Sequence, residues 1–495
     1  MIEILKLLVF FVCTVLVFPI PVNGSYKPNV LFIAVDDLND WIGCLDGHPQ
    51  AETPNMDRLA KRGVLFTNAH CAAPACNPSR AAVFSGLMPA RTGVWSNDSH
   101  RIDAVSPKTV LLPHLFRNEG YETLGTGKML HGKVTGLFEE SYNVNQRWSP
   151  FPKNDVRYTK VELPSKGTSN PRHLMKDSLG RQVVLPINRM PSDRKPNKPD
   201  GESFDWGGFD VPDTDFGDTR ITSWSMEKLR KGLGDKKPFF LGVGYYRPHI
   251  PLFAPQKYFE RFKDEPGKLP FVVTDDLNDI GSMAVKWARE PVTAGSHETV
   301  LKHRQWRAAV EAYLACTTYV DYEIGRLLET LDKSNASLDT WIVLWSDHGW
   351  HLGEKEHWGK WTGWERSTKV PLIVVPPKRL AKQFAPEGSR CDQPVGLIDL
   401  FPTLTDACGL STPNNLDGES LLPLLRDPSK QTGRALVTTF DKGNVSLRTI
   451  RWRYIRYSNG EEELYDLKND PNEWANLSED PRLAKVKERL ALLVE

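Results

Sequence analysis

Two apolar runs set far apart in the chain, Asn29 to Val35 and Trp341 to Trp345, each stop at a polar pair: Asp36-Asp37 after the first, Asp347-His348 soon after the second. A continuous apolar run suits a strand buried on both faces of a parallel sheet. Such sheets bind ligands beyond the carboxyl ends of their strands. Acidic and imidazole groups at two strand ends therefore point to one shared site. Phe239 to Gly244 is a further run of this kind, followed by Tyr245-Tyr246-Arg247-Pro248-His249-Ile250-Pro251, and Pro371 to Val375 reads as another. Helical signals alternate with them. Thr53 stands as an N-cap before Pro54, with Gly63 beyond the helix and Val64 to Phe66 as a short strand. Thr109 to Asn118 reads as a helix that ends before Gly120. Trp306 to Leu331 repeats apolar residues at three- and four-residue steps, among them Val310, Tyr313, Leu314, Val320 and Ile324. Strands alternating with helices predict an α/β domain with a mostly parallel sheet flanked by helices.

Residues 141 to 217 break this rhythm. They are rich in Pro, Asn, Asp, Lys and Gly, with little periodicity. A stretch of that length inside a compact domain is functional or flexible. Near the C-terminus, Ile450, Trp452 and Tyr454 alternate with Arg451 and Arg453, the pattern of a half-buried strand, and Asn459-Gly460 marks a hairpin before Glu463 to Leu467. A last helix is expected to bury Leu483, Val486, Leu490 and Leu493. These signals predict a small antiparallel sheet with one helix. The expected domains are a signal peptide at 1–24, a catalytic α/β domain at 25–430 and a C-terminal α+β subdomain at 431–495.

The signal peptide rests on Glu3 and Lys6 ahead of an almost wholly apolar stretch from Leu7 to Ile20 and small residues at 21–25. The stretch is short for a membrane span, which needs about 20 residues. It predicts export (secreted, periplasmic or lysosomal) and no stable membrane insertion after cleavage. Net charge is +1, so nothing global in the electrostatics points to nucleic acid. Of seven cysteines, Cys13 lies in the signal, and the other six form no zinc spacing and no small-domain disulfide framework. If Cys76 were chemically consumed, at least one of the remaining five would stay unpaired within the chain. Asn-x-Ser sequons stand at Asn97, Asn335, Asn444 and Asn476.

The decisive segment is Cys76-Asn77-Pro78-Ser79-Arg80, followed by Ser85-Gly86. It resembles the signature of the type I, formylglycine-dependent sulfatases. Gly127-Lys128-Met129-Leu130-His131 resembles that family's Gly-Lys-x-x-His element, and Pro248-His249-Ile250-Pro251 its Pro-His-x-Pro element. The likeness runs from Asn29 to the Glu463–Leu467 stretch. It is strongest to the iduronate-2-sulfatase group around Phe239 to Pro251, Ser346 to Gly353 and Trp358 to Lys360. The resemblance implies an alkaline-phosphatase-like α/β fold. It implies that a formylglycine-generating enzyme, or its anaerobic counterpart, oxidises Cys76 to an aldehyde. The aldehyde hydrates, one hydroxyl attacks sulfur, and the second is deprotonated to expel sulfate. Asp36, Asp37, Asp347 and His348 would hold a Ca²⁺ ion, less readily Mg²⁺, that also binds the modified Cys76. Lys128 and Lys360 would bind sulfate oxygens, His131 would help deprotonate the diol, His249 would serve the leaving oxygen, and Arg80 would brace the formylglycine and its metal. His351 and His357 carry no assignment. The expected substrate is a sulfated carbohydrate, with the 141–217 segment shaping the pocket beyond the sulfate. Two other readings stay open: a phosphodiester or phosphonate monoester hydrolase of the same superfamily, and a non-catalytic carbohydrate binder on the same scaffold.

Overall fold

The computed structural model describes residues 26–100, 102, 109–132, 134–144, 151, 186–191, 193, 204–291 and 295–494, and the backbone of 158–161, 172–176 and 182–185. The expected signal peptide and about half of the 141–217 segment lie outside these residues. The main sheet is built from β1 (Asn29–Val35), β2 (Val64–Phe66), β3 (Glu122–Gly127), β4 (Glu140–Tyr142), β5 (Phe239–Tyr245), β6 (Thr340–Ser346), β7 (Leu372–Val375) and β8 (Ser389–Cys391). Its order is β8-β2-β7-β6-β1-β5-β3-β4, and β7 alone runs against the others. The strand expectations hold to within a residue at each end.

All of β1, β5 and β6 is buried, as continuous apolar runs require. Alternate side chains enter two different cores. Val30, Phe32, Ala34, Phe240 and Trp345 pack with Phe84 of α2 (Cys76–Ser85) and Phe116 of α3 (Leu112–Asn118). Leu31, Ile33, Leu241 and Leu344 pack with Ile221 of α4 (Gly217–Arg230) and with Val320, Ile324 and Leu327 of α5 (Trp306–Asp332). Helix α3 starts later than the pattern suggested. Pro113 occupies its first turn, where no N–H is needed, and Leu111 is extended. Thr53 precedes α1 (Pro54–Ala60) as expected, but its hydroxyl accepts the Gly43 N–H at 2.8 Å instead of capping its own helix.

The 141–217 segment is less irregular than its composition implied. Strands 158–161, 172–176 and 182–185 form an antiparallel sheet, and Trp206–Phe209 pairs in parallel with Leu252–Pro255. Asp205, fully buried, ties this region down by accepting backbone N–H groups of Ile187 (2.7 Å), Asn188 (2.9 Å) and Trp206 (2.9 Å).

At the C-terminus, β9 (Leu436–Thr439), β10 (Val445–Arg448), β11 (Trp452–Arg456) and β12 (Glu462–Asp466) form an antiparallel sheet in sequence order, with Gly460 at φ 89° in the β11–β12 hairpin. Helix α6 (Ala484–Ala491) covers one face, placing Leu490 against Leu447, Tyr454 and Leu464. Three expectations fail here. Ile450 is 50% exposed because the strand starts only at Trp452. Leu493 is 53% exposed because the helix ends before it. Arg453 is not on a wet face but fully buried, because the opposite face of the sheet is covered by preceding parts of the chain, where Arg453 pairs with Glu365, and by Glu473. All six described cysteines are free thiols. Among the described residues no helix is long and apolar enough to cross a membrane.

The backbone leaving β3 crosses β5 at close range, with the Lys128 N–H on the Gly244 carbonyl at 2.8 Å. A Cβ at Gly244 would meet the Lys128 carbonyl oxygen at 2.2 Å. Gly244→Ala is therefore expected to cost about 1–3 kcal/mol, read as a lowered urea midpoint with an unchanged slope.

Candidate active site

Strands β6, β1, β5 and β3 are parallel neighbours whose carboxyl ends meet along one edge. Val35 is level with Tyr245 and Ser346, and Gly244 with Gly127. The next residues of each strand, Asp36-Asp37, Asp347-His348, the Tyr246–His249 turn and Lys128, thus emerge side by side. Helix α2 brings its first residue, Cys76, to the same place. Asp36, Asp37, Cys76, Asp347 and His348 are all fully buried, and one ligand atom from each lies within 4.8 Å of all the others.

Backbone and hydroxyl groups clasp the two acidic turns together. Asp37 adopts a left-handed conformation at φ 61°, which Asp tolerates better than most residues. The Tyr313 hydroxyl, from α5, donates to the Asp37 carbonyl at 2.7 Å and accepts the Asn39 N–H at 2.8 Å. The Asp37 N–H donates to Asp347 Oδ1 at 3.1 Å. Ser346 Oγ accepts the Leu38 N–H (3.0 Å) and donates to the His348 carbonyl (3.1 Å).

Cations close around the carboxylates. Arg80, one helical turn beyond Cys76, donates from Nε to Asp347 Oδ2 at 2.7 Å and from Nη2 to Asp36 Oδ1 at 3.2 Å. Its Nη1 reaches the carbonyls of Lys128 and Met129. Lys128 Nζ is paired with Asp36 Oδ2. Lys360 Nζ lies 2.7 Å from Asp37 Oδ1 and 2.9 Å from Cys76 Sγ, with the Trp350 ring 5.5 Å away. His348 Nε2 is 3.3 Å from the same sulfur. His131, half-buried, and His249, buried, also hydrogen-bond the thiol. His249 Nδ1 faces the Ile250 carbonyl, so Nδ1 carries the proton and Nε2 offers a lone pair, 3.9 Å from Asp37 Oδ2. Every residue expected from the sequence thus reaches one cluster.

The protonation states follow from burial set against neighbours. Burial pushes Asp37 up to about 7 despite Lys360. Burial also acts to raise Asp347, but Arg80 and His348 hold it well below the usual carboxylate range. Burial acts to lower His348, but Asp347, Cys76 and Asp37 together raise it. Burial opposes the Cys76 thiolate, yet Lys128, Lys360 and His348 together bring the thiol well below its ordinary value. Burial drives His249 down to about 3, leaving a neutral ring. Asp37 Oδ2 is buried without any hydrogen-bond donor. Three carboxylates, one imidazole and an orphaned carboxylate oxygen turned into the cluster make a donor set that suits a hard divalent cation.

The two unassigned histidines hold the Lys360 segment and do not reach the cluster. His351 bonds the Glu354 carbonyl (3.1 Å) and Thr362 Oγ1 (3.0 Å), and His357 bonds the carbonyls of Ala288 (2.7 Å) and Lys360 (2.8 Å). Tyr313 and Ser346 were missed as site residues. Tyr313 was read only as part of an apolar helix stripe, although a phenol at a core position carries a hydroxyl that needs a partner.

The family model described as Sulfatase matches residues 28–410, and that described as N-sulphoglucosamine sulphohydrolase, C-terminal, matches 353–495. A sulfatase of Formosa agariphila is 37% identical over 456 residues, covering 91% of this chain and 83% of the relative. Iduronate 2-sulfatase of Homo sapiens is 28% identical over 415 residues, covering 78% and 70%. The solved structure of BT4656 with its substrate D-glucosamine-2-N,6-O-disulfate superposes with a TM-score of 0.70 at 21% identity, covering 94% and 97% of the two chains. With a match this long to the family and a relative this close, the chain belongs to the sulfatase family and is a sulfuric ester hydrolase.

Proposed function

We propose that this sulfatase hydrolyses a sulfate ester of an anionic saccharide outside the cytoplasm, using formylglycine formed from Cys76 and a Ca²⁺ ion bound by Asp36, Asp37, Asp347 and His348. The observation that carries the reading is the convergence of Cys76 with four buried ligand groups and two lysines. The names of the relatives, iduronate 2-sulfatase among them, and the sulfated glucosamine bound in the BT4656 structure support a saccharide. The apolar N-terminal stretch supports export, with 25–430 as the catalytic domain and 431–495 as the C-terminal subdomain.

Cys76 Sγ stands where the oxygens of a hydrated aldehyde would lie, and that diol supplies the nucleophile. The cation, when bound, lowers the pKa of that hydroxyl and offsets sulfate charge. The other roles fall to the chain's own side chains. Lys128 and Lys360 approach Cys76 and bind the equatorial oxygens of the incoming sulfate. Arg80 fixes Asp36 and Asp347 relative to each other through its rigid fork. The neutral His249 presents Nε2 as an acceptor toward position 76, so it can take a proton from the attacking hydroxyl and pass it to the departing alcohol. His131 receives the proton of the second hydroxyl. Because Cys76 is fully buried, the formylglycine-generating enzyme must act before this part of the chain closes. The 141–217 segment supplies contacts to the sugar.

Modification, selectivity and metal dependence test the reading. In enzyme co-expressed with a converting partner, mass spectrometry should find the aldehyde at position 76, and Cys76→Ala should lower turnover of sulfated saccharides by about 10³-fold or more without changing the fold. An unmodified thiol in active enzyme would sink the mechanism. Such enzyme should also prefer aryl sulfate over aryl phosphonate by orders of magnitude. Chelation should abolish activity, and Ca²⁺ at about a hundred times its Kd should stabilise the protein by about 2.7 kcal/mol, measured as a rise in melting temperature. A melting temperature indifferent to Ca²⁺ counts against the ligand set.

A further inference from the structure

The C-terminal sheet grips the segment that carries Lys360. That segment is irregular: Lys360 follows the two-residue strand Trp358–Gly359, Trp361 is left-handed at φ 81°, and the short helix Glu365–Thr368 follows. A lysine ammonium rides on a flexible four-carbon stem, so its aim depends on how firmly its backbone is held. On one side the Trp361 N–H donates to the Pro74 carbonyl at 3.0 Å, two residues before Cys76. On the other side the bonds come from the C-terminal sheet. Gly363 O accepts Ser446 Oγ (2.6 Å) and Arg453 Nη1 (3.1 Å). Trp364 Nε1 donates to Glu463 Oε2 at 2.7 Å. Arg453 also reaches Glu365 and Thr368.

The groups that make these bonds are costly to bury. Arg453 is 0% exposed and Glu463 1%. Glu463 keeps its place by accepting the hydroxyls of Tyr457 (2.7 Å) and Tyr465 (2.6 Å) as well as the Trp364 indole. Apolar residues of similar volume would dock two layers at less desolvation cost, while hydrogen-bonded charges add direction. The bonded segment ends at Lys360, which touches both Asp37 and Cys76.

We propose that the C-terminal sheet is a positioning element of the active site, in which Glu463 and Arg453 act as positioning residues that hold Lys360 against Asp37 and Cys76 through residues 361–368. This rests on the reading of Lys360 as a sulfate-binding group. The test is a double-mutant cycle in formylglycine-bearing enzyme, read both as kcat/KM on an aryl sulfate and as Kd for inorganic sulfate. Glu463→Leu should lower kcat/KM about tenfold or more and weaken sulfate binding, since small misplacements of a binding group are costly. Glu463→Gln should rescue both, because its amide oxygen still accepts the Trp364 indole and burial already raises the Glu463 carboxyl toward a neutral form. In a Lys360→Gln background, Glu463→Leu should change either quantity by less than about twofold, because coupled residues are non-additive. Equal losses in both backgrounds would overturn the positioning proposal and leave the role of Lys360 standing. Lys360→Gln without effect on either quantity would overturn both. Should Glu463→Leu fail to fold by circular dichroism, Gly363→Ala replaces it in the cycle, since the added Cβ would meet the Phe440 ring at 2.8 Å and displace the same segment.

Discussion

Three carboxylates buried within reach of one another are the constraint around which this protein is built. Asp36, Asp37 and Asp347 are each fully buried, and ionised groups so placed repel one another and lose their hydration. They are tolerable only because Arg80, Lys128 and Lys360 are aimed at them from three different parts of the chain. Removing one member of such a cluster leaves an uncompensated charge, so its members have to be retained together. That interdependence also makes the site useful. A cluster that already balances cations against carboxylates can take up a divalent ion on the acidic side and a tetrahedral oxyanion on the basic side.

The sheet makes this balance possible. Parallel strands buried on both faces deliver their carboxyl ends to a single edge, and short turns there carry polar groups without breaking either core. Helix α2 contributes twice, with Cys76 in its first turn and Arg80 four residues on. One element thus sets the distance between the reacting position and the clamp on Asp36 and Asp347. Tyr313 and Ser346 stiffen the turns from outside the cluster, so that Asp37 is held in its left-handed conformation by hydrogen bonds as well as by sequence.

The buried cluster was legible in the sequence because its residues are tied to strand ends and to one short motif. Asp36-Asp37 and Asp347-His348 follow runs that can only be buried strands, and strand ends in a parallel sheet converge whatever the chain does between them. The misreadings share a different cause. Arg453 alternates with Trp452 and Tyr454 as a solvent-facing residue would, but the face it occupies is covered by preceding parts of the chain, and local alternation carries no information about a second covering layer. Tyr313 sits on an apolar helical stripe, where the period is set by burial and not by what its hydroxyl touches. Composition alone suggested an unstructured 141–217, whereas Asp205 and paired strands organise part of it through contacts distant in sequence.

Selectivity has to arise outside the cluster. In the proposed mechanism Asp36, Asp37, Asp347 and His348 are committed to a cation, and Lys128, Lys360 and position 76 to the tetrahedral group. None of them offers the aromatic face or the neutral amide that would tell one sugar ring from another. In the same mechanism His249 would face the leaving oxygen and be blind to what that oxygen is attached to. A chain with these residues can therefore serve many esters with one chemistry, and the choice among them falls to the surrounding loops. The firmness with which the C-terminal sheet holds the Lys360 segment fits this division: with the proposed oxyanion site fixed rigidly, specificity could vary in loops without disturbing the reaction.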